Sequence, residues 1–313
     1  MVSAVAVIDI GSNSIKLLIA KRGEGSIVVV HSRSLDARIS AGISKAEPEL
    51  SEDGMATGLD AIRTLLADAK AHHVRKILLV ATSAVRDARN GPLFRARVHE
   101  ETGHEVRILT GDEEARLIGR GLACDPALGD LQNFYVFDLG GGSLECLAFR
   151  HRQLVQAASL QLGCVRLTEA FVKDVTRPLG RGARYRIMQH VHDELVRSPF
   201  KFDLGDDAVA VGTGGTMATV RAIIGARDGI PFEQTPTQLP VAWLRVMFAH
   251  LGRLPLDERR TVPGLPPARA DVFPTALVTF VAVADVAGVQ GFRHSLYNLR
   301  YGLAAEALLG ASH

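Results

Sequence analysis

Cysteine is scarce in this chain of 313 residues, which has only Cys124, Cys146 and Cys164. An odd number without the short spacings of a metal-binding set excludes a disulfide framework and a zinc module, so the three read as reduced, buried thiols. An excess of charge of either sign is lacking too: 36 basic side chains face 34 acidic ones, for a formal net charge of +2. That balance excludes a general nucleic-acid coat and a membrane-surface protein, while leaving room for a local basic channel. Long apolar runs are missing as well. The first, residues 4–8, has no basic segment before it and runs straight into Asp9, unlike a secretory leader. The longest late run, residues 275–289, is interrupted by Asp285 and falls short of a membrane span. The expectation is a cytoplasmic protein with neither membrane nor nucleic acid among its partners.

What is present is a folding chain of ordinary make-up, 47% hydrophobic and 22% charged, long enough for two domains. Runs rich in Val and Ile alternate with helical stretches almost throughout, which predicts an α/β protein. Residues 5–10 and 15–20 flank a glycine–polar turn as a hairpin, and residues 27–30 add a strand. Residues 52–72 carry Ile62, Leu65, Leu66 and Ala69 at helical spacing. Strands are expected over 76–82 and 105–109, and helices over 93–101 and from Thr110 onward. Residues 125–130 (DPALGD) are loop-like and carry the expected boundary. The first domain would be residues 1–124 and the second 125–313, with a last helix at about 298–313 packing back on the first.

The second half opens as the first does. VIDIGSNSIKLLIA and VFDLGGGSLECLAF are one device of strand, glycine turn and strand, with Asp9 and Asp138 in the same place. The repeat implies a duplicated fold, in which two such turns facing each other would line a cleft with backbone N–H groups and carboxylates. In the first turn, glycine lets the chain approach an anion closely, and Gly11, Ser12, Asn13 and Ser14 form a nest of donors. Asp9 can hold a hydrated Mg2+, or simply bond its own loop. A P-loop is excluded, because no Gly-Lys-Ser/Thr run is present and a strand follows. The second turn is sharper: Gly140, Gly141 and Gly142 cost backbone entropy that a plain hairpin ending in Ser143 rarely spends. Glu145 projects from the same strand face as Ser143, so Asp138 and Glu145 can meet one metal ion; the alternative is a flexible turn with a surface Glu.

Thr110 with Glu113 three residues on is a capping box at the start of a helix. Glu113 is thereby structural and Glu114 is left over. A carboxylate at a helix N-terminus stays ionised, and phosphoryl transfer through a loose transition state needs its water positioned more than activated. Spacing alone favours a cap or a surface charge. Gly212, Thr213, Gly214 and Gly215 close a strand over 208–211 with a helix N-terminus behind them, an anion site by dipole and N–H groups, although such turns also serve packing. Arg86 follows a buried strand and can pair with phosphate as a planar fork or stay solvated. Arg166, Lys173, Arg177, Arg181, Arg184 and Arg186 face few acids. They can steer a long polyanion or form a solvated face. Residues 262–270 read as a loop before a long apolar helix, and the histidines are scattered without a metal set.

Together, DIGSNS (9–14), ATSAVR (81–86), GDEEARLI (111–118), DLGGGSLE (138–145), LGCVR (162–166), GTGGT (212–216) and RADV (269–272) resemble the exopolyphosphatase and guanosine-pentaphosphate phosphohydrolase family, within the actin-like ATPase superfamily. The resemblance spans nearly the whole chain. It implies an α/β protein of two duplicated ribonuclease-H-like, actin-like domains with an interdomain cleft, in a short two-domain form. It implies Glu114 as catalytic base and Mg2+ on Asp138, Glu145 and Asp9. It assigns substrate phosphates to Gly11, Ser12, Asn13, Ser14, Arg86, Gly140, Gly141, Gly142, Ser143, Gly212, Thr213, Gly214 and Gly215. Three positions depart from the family: Leu144 stands where Thr is common, Lys16 where His is frequent, and Tyr301 where an acid is usual.

The implied reaction is release of orthophosphate from the end of inorganic polyphosphate. Hydrolysis of guanosine pentaphosphate is the same chemistry on a nucleotide. A phosphotransferase would bind ATP near Gly212, and an inactive assembly or polyphosphate-binding module would have no use for Asp9, Glu114, Asp138 and Glu145 together. Homodimerisation stays open.

Overall fold

The computed structural model describes residues 4–24, 26–205 and 208–310. The chain divides into two compact units: the first runs to Gly129 and takes in the chain again from Tyr297, and the second is Asp130–Leu296.

The first unit opens with an antiparallel meander, β1 (Ala4–Ile10), β2 (Ser14–Arg22) and β3 (Ile27–Asp36). Helix α1 (Glu52–Ala71) follows, its first turn closed by the Ser51 hydroxyl accepting from the Gly54 N–H. Strand β4 (Lys76–Ala81), the short α2 (Ser83–Arg86), α3 (Gly91–Thr102), β5 (Val106–Ile108) and α4 (Gly111–Ala123) complete this part. The sheet order is β3-β2-β1-β4-β5, with β1, β4 and β5 parallel. Strands β1 and β2 are Val- and Ile-rich because both faces are covered. Ile8, Ile10, Leu17 and Ile19 pack with Ile62 and Leu65 of α1 and Phe94 of α3 in one core.

The second unit repeats that plan. Strands β6 (Phe134–Leu139), β7 (Leu144–Arg150) and β8 (Gln153–Leu160) form the meander. Then come α5 (Cys164–Phe171), α6 (Arg181–Arg197), β9 (Val209–Thr213) and α7 (Gly214–Asp228). Strand β10 (Gln238–Pro240), α8 (Val241–Leu251), α9 (Leu256–Arg260), α10 (Phe273–Ala287) and β11 (Gly291–His294) finish it. The sheet order β10-β11-β9-β6-β7-β8 contains the first sheet's pattern, an antiparallel meander continued by two parallel strands, plus β10 at the edge. Two mixed α/β units of this kind are the duplicated actin-like architecture. Helix α10 is apolar nearly all round and buried along most of its length between its neighbours α6 and α8, as a helix without a polar face must be. Phe137, Phe280 and Phe292 meet edge to face in the same core.

The cysteines are unpaired thiols; Cys146 and Cys164 are buried, but Cys124, at the end of α4, is only half-buried. No helix among the described residues is long and apolar enough to cross a membrane.

Helix α11 (Leu299–Leu309) belongs to the first unit, where it lies on α4, β1 and β2. Residues 311–313, included in the expected last helix, lie outside the described residues. The α4–α11 crossing is backbone on backbone. A Cβ on Gly302 would fall on the Leu117 carbonyl, and one on Gly121 on the carbonyl of Asn298. Gly302→Val is therefore expected to lower stability by about 1–3 kcal/mol or more, read as a fall in the urea midpoint of unfolding; an unchanged midpoint would disprove the close crossing.

Candidate active site

In the first unit the expected residues gather at the carboxyl ends of the parallel strands β1, β4 and β5, where open α/β sheets place their ligands. The β1–β2 turn is closed by the Gly11 N–H donating to the Ser14 carbonyl at 3.3 Å. Two of its other carbonyls are engaged: Asn13 O accepts from the N–H groups of Ala37 and Arg38, and Ser12 O accepts from the Ser40 hydroxyl at 3.1 Å. Arg38 takes a left-handed backbone conformation (φ 41°) to do this, a strain of the kind retained at functional sites. The Ser12 hydroxyl lies 3.3 Å from that of Ser83 at the start of α2. The amide N–H groups of Ser12 and Asn13 donate to nothing among the described residues.

Helix α4, which follows β5 two strands along the sheet from β1, begins with the predicted capping box, Thr110 accepting from the Glu113 N–H and Glu113 accepting from the Thr110 N–H. Glu114, one residue on, is buried, and its Oε2 accepts from Nη1 of Arg86 at 2.9 Å. Arg86 also donates to the Leu109 carbonyl and lies 3.4 Å from Asp87. The arginine expected to meet phosphate is thus directed at the carboxylate of Glu114. Asp9 is shielded; its register partner on β2 is Lys16, and Arg300 of α11 adds a second positive charge near it. Burial raises its pKa, with Lys16 and Arg300 opposing the rise, and Oδ1 has no hydrogen-bond partner among the described residues.

The second unit builds its turn the same way. Gly140 N–H donates to Ser143 O at 3.0 Å. The first N–H groups of α5 then take the turn's carbonyls, Cys164 bonding Gly140 O while Val165 and Arg166 bond Gly141 O. Arg166 Nε closes the last one, Gly142 O, at 2.9 Å. The N–H groups of Gly141 and Gly142 remain as donors with no partner among the described residues, a nest facing any anion that arrives. Gly163 makes this possible, because a Cβ there would overlap the backbone of Gly141 and Gly142.

Asp138 and Glu145 are direct partners across β6 and β7, so both carboxylates leave the same face with Cβ atoms about 5 Å apart. Glu145 is buried and accepts from the Ser159 hydroxyl at 2.8 Å. Asp138 also pairs with Thr213 on parallel β9, which brings the Gly212–Gly215 turn alongside. Gly214 has φ 85°, and its missing Cβ leaves the place that Asp138 Oδ1 takes; Gly215 is likewise covered by the Arg269 guanidinium. Gly212, Thr213, Gly214 and Gly215 are thus in one cluster with Asp138, Gly140, Gly141, Gly142, Ser143 and Glu145. Behind them, buried Arg221 donates to Thr235 Oγ1, to two carbonyls and to Nδ1 of His294, whose pKa burial and that positive charge push down to about 3.

The contributions of Arg38, Ser40, Ser83, Gly163 and Arg269 escaped the sequence reading. Gly163 and Arg269 carried a signal, since both lie in the short motifs LGCVR and RADV; the others become visible only through long-range contacts. Tyr301 is buried and meets Tyr297 at a tilt of 40°, with ring centres 4.2 Å apart.

Two α/β units of one plan each carry a glycine turn with tied carbonyls and an aspartate just before it. The chain belongs to the Ppx/GppA phosphatase family, whose model matches residues 18–311. Among solved structures it is similar to an exopolyphosphatase from Cytophaga hutchinsonii, at 23% identity over 99% of each chain with a TM-score of 0.89. It is also similar to the Ppx/GppA family member of Aquifex aeolicus, at 25% identity over 100% of each chain with a TM-score of 0.77. A further structure of an Aquifex aeolicus PPX-GPPA enzyme matches at 26% identity over 98% of this chain and 100% of that one, with a TM-score of 0.76.

The capping box makes a pH-dependent contribution that can be isolated. Hydrogen bonds from Thr110 and Arg107 lower the Glu113 pKa from 4.5 to about 2. A depressed carboxylate pKa stabilises the fold above the unfolded value, and that stability is lost as pH falls through the folded one. Glu113→Ala should cost about 1 kcal/mol at neutral pH. The gap to wild type should close between pH 4.5 and about 2 in denaturant titrations; a gap independent of pH would refute the assignment.

Proposed function

We propose that the chain is an exopolyphosphatase, hydrolysing the terminal phosphoanhydride bond of inorganic polyphosphate to release orthophosphate. The observation that carries this reading is Glu114: a buried carboxylate at a helix N-terminus, fixed by Arg86, in the unit whose first turn has uncommitted amide donors. A binder of anions gains nothing from such a group, because it repels the ligand. A hydrolase needs it to orient water and accept its proton.

In this reading each unit offers its own donors to phosphate oxygens: the amides of Ser12 and Asn13, with Gly11 and Ser14, in the first, and those of Gly141 and Gly142, with Gly140, Ser143 and the Gly212–Gly215 turn, in the second. Glu114 aims a water at the terminal phosphorus. The water oxygen bonds to phosphorus as the bridging P–O bond breaks, the proton passes to Glu114, and the electron pair leaves on the shortened chain. Arg86 holds the carboxylate in one orientation, which matters because positioning dominates phosphoryl transfer.

The family resemblance implies Mg2+, and the residues fit it. Asp138 and Glu145 present two hard oxygen donors from one sheet face, while no group of three or more His, Cys, Asp or Glu gathers among the described residues. That suits an ion which binds through one or two carboxylates and completes its shell with water and substrate phosphates. When bound, the ion would neutralise charge on the phosphate oxygens.

Glu114→Gln should fold as wild type yet release phosphate about 10²–10⁴-fold more slowly, measured on long- and short-chain polyphosphate with Mg2+ present and then chelated. Wild-type turnover in that variant would remove Glu114 from the reaction. Faster release from guanosine pentaphosphate than from polyphosphate would reassign the substrate and leave the chemistry in place.

A further inference from the structure

The two glycine hairpins close with the same backbone hydrogen bond and differ in the charge that faces their aspartates. Gly11 to Ser14 and Gly140 to Ser143 close the same turn with the same hydrogen bond. Asp9 and Asp138 sit at the same position before it, and each has one direct partner on the next strand. For Asp138 that partner is the carboxylate of Glu145; for Asp9 it is the ammonium of Lys16. Partners in such a register share a sheet face at contact distance, and Lys16 is near enough to oppose the rise in the Asp9 pKa.

A second cation reinforces the first. Arg300 lies on α11, which packs against β1 and β2, and its Nη1 donates to the Leu17 carbonyl at 3.3 Å, one residue beyond Lys16. The groups acting on Asp9 are therefore both positive, whereas Asp138 stands beside a second acid. A divalent ion approaching Asp9 would meet the repulsion of an ammonium and a guanidinium, with a single carboxylate as donor. Beside Asp138 the same ion relieves the repulsion of two acids.

We propose that the first hairpin carries its cation as a side chain: Lys16, held by Asp9 and backed by Arg300, takes the role that a divalent ion takes between Asp138 and Glu145. The chain then binds one metal ion, in the second unit alone, and Lys16 is a phosphate-binding residue. Both the assignment of the ion to Asp138 and Glu145 and the phosphate-binding role of Lys16 rest on the function proposed above.

Manganese(II) bound to the full chain, counted by electron paramagnetic resonance, tests the proposal. One ion per chain is expected, lost in Glu145→Gln and kept in Asp9→Asn. Lys16→Glu copies the acid pair of the second hairpin into the first and should add an ion. Lys16→Met introduces no like-charge pair, so it serves if Lys16→Glu fails to fold by circular dichroism. It should keep one ion while weakening inorganic tripolyphosphate binding by about 10–100-fold, measured by calorimetry in a Glu114→Gln background. Loss of manganese in Asp9→Asn, or undiminished tripolyphosphate binding in Lys16→Met, would overturn the proposal. A folded Lys16→Glu chain that gains no ion would overturn it as well. Absence of manganese from the wild-type chain would instead remove the metal role of Asp138 and Glu145, and the tripolyphosphate measurement would then decide Lys16 alone.

Discussion

Capture of carbonyl groups at the two glycine turns is the constraint on which the site depends. A tight turn has as many acceptors as donors, and an anion meets attraction only if the acceptors face elsewhere. In the second unit the opening N–H groups of α5 do this, taking the carbonyls of Gly140 and Gly141 while Arg166 takes that of Gly142. The same bonds satisfy the helix end, which otherwise leaves its first amides without partners. In the first unit the segment 37–40 does the corresponding work on Ser12 and Asn13, at the cost of a strained Arg38. One chemical result is reached by a helix in one half and by an irregular loop in the other.

Glycine serves two separate purposes in these turns. Gly214 needs its positive φ. Gly163 has an ordinary extended conformation and is required because α5 approaches the turn so closely that a methyl group cannot fit. Carboxylates are treated as differently: Glu113 is spent on the helix end, while its neighbour Glu114 is turned inward to Arg86.

Much of this was legible in the sequence, and what was not has physical reasons. The hairpins could be read because apolar alternation and a glycine run act over a few residues. The capping box could be read for the same reason. Helix α10 announced itself by an apolar surface on all sides. Helix α6 did not, since it opens on Arg181, Arg184 and Arg186 and its buried positions begin at Ile187. Strand β8 alternates so weakly that nothing marked it before its pairing with β7 was known. The pairing of Arg86 with Glu114 needed strand order, which no local pattern contains. Cys124 was expected to be buried and is only half so, because it caps α4 at the edge of its unit and not inside it.

Helix α11 separates the order of synthesis from the order of assembly. The second unit is made of one uninterrupted stretch, whereas the first owns two pieces of chain with the whole of the second between them. On the ribosome, α4 and the β1–β2 hairpin emerge early, but the glycine-lined groove on α4 stays open until Gly302 has been made. Native contacts across so long a separation are slow to form, and domains otherwise fold in turn as they emerge. The half containing Glu114 is translated first and completed last.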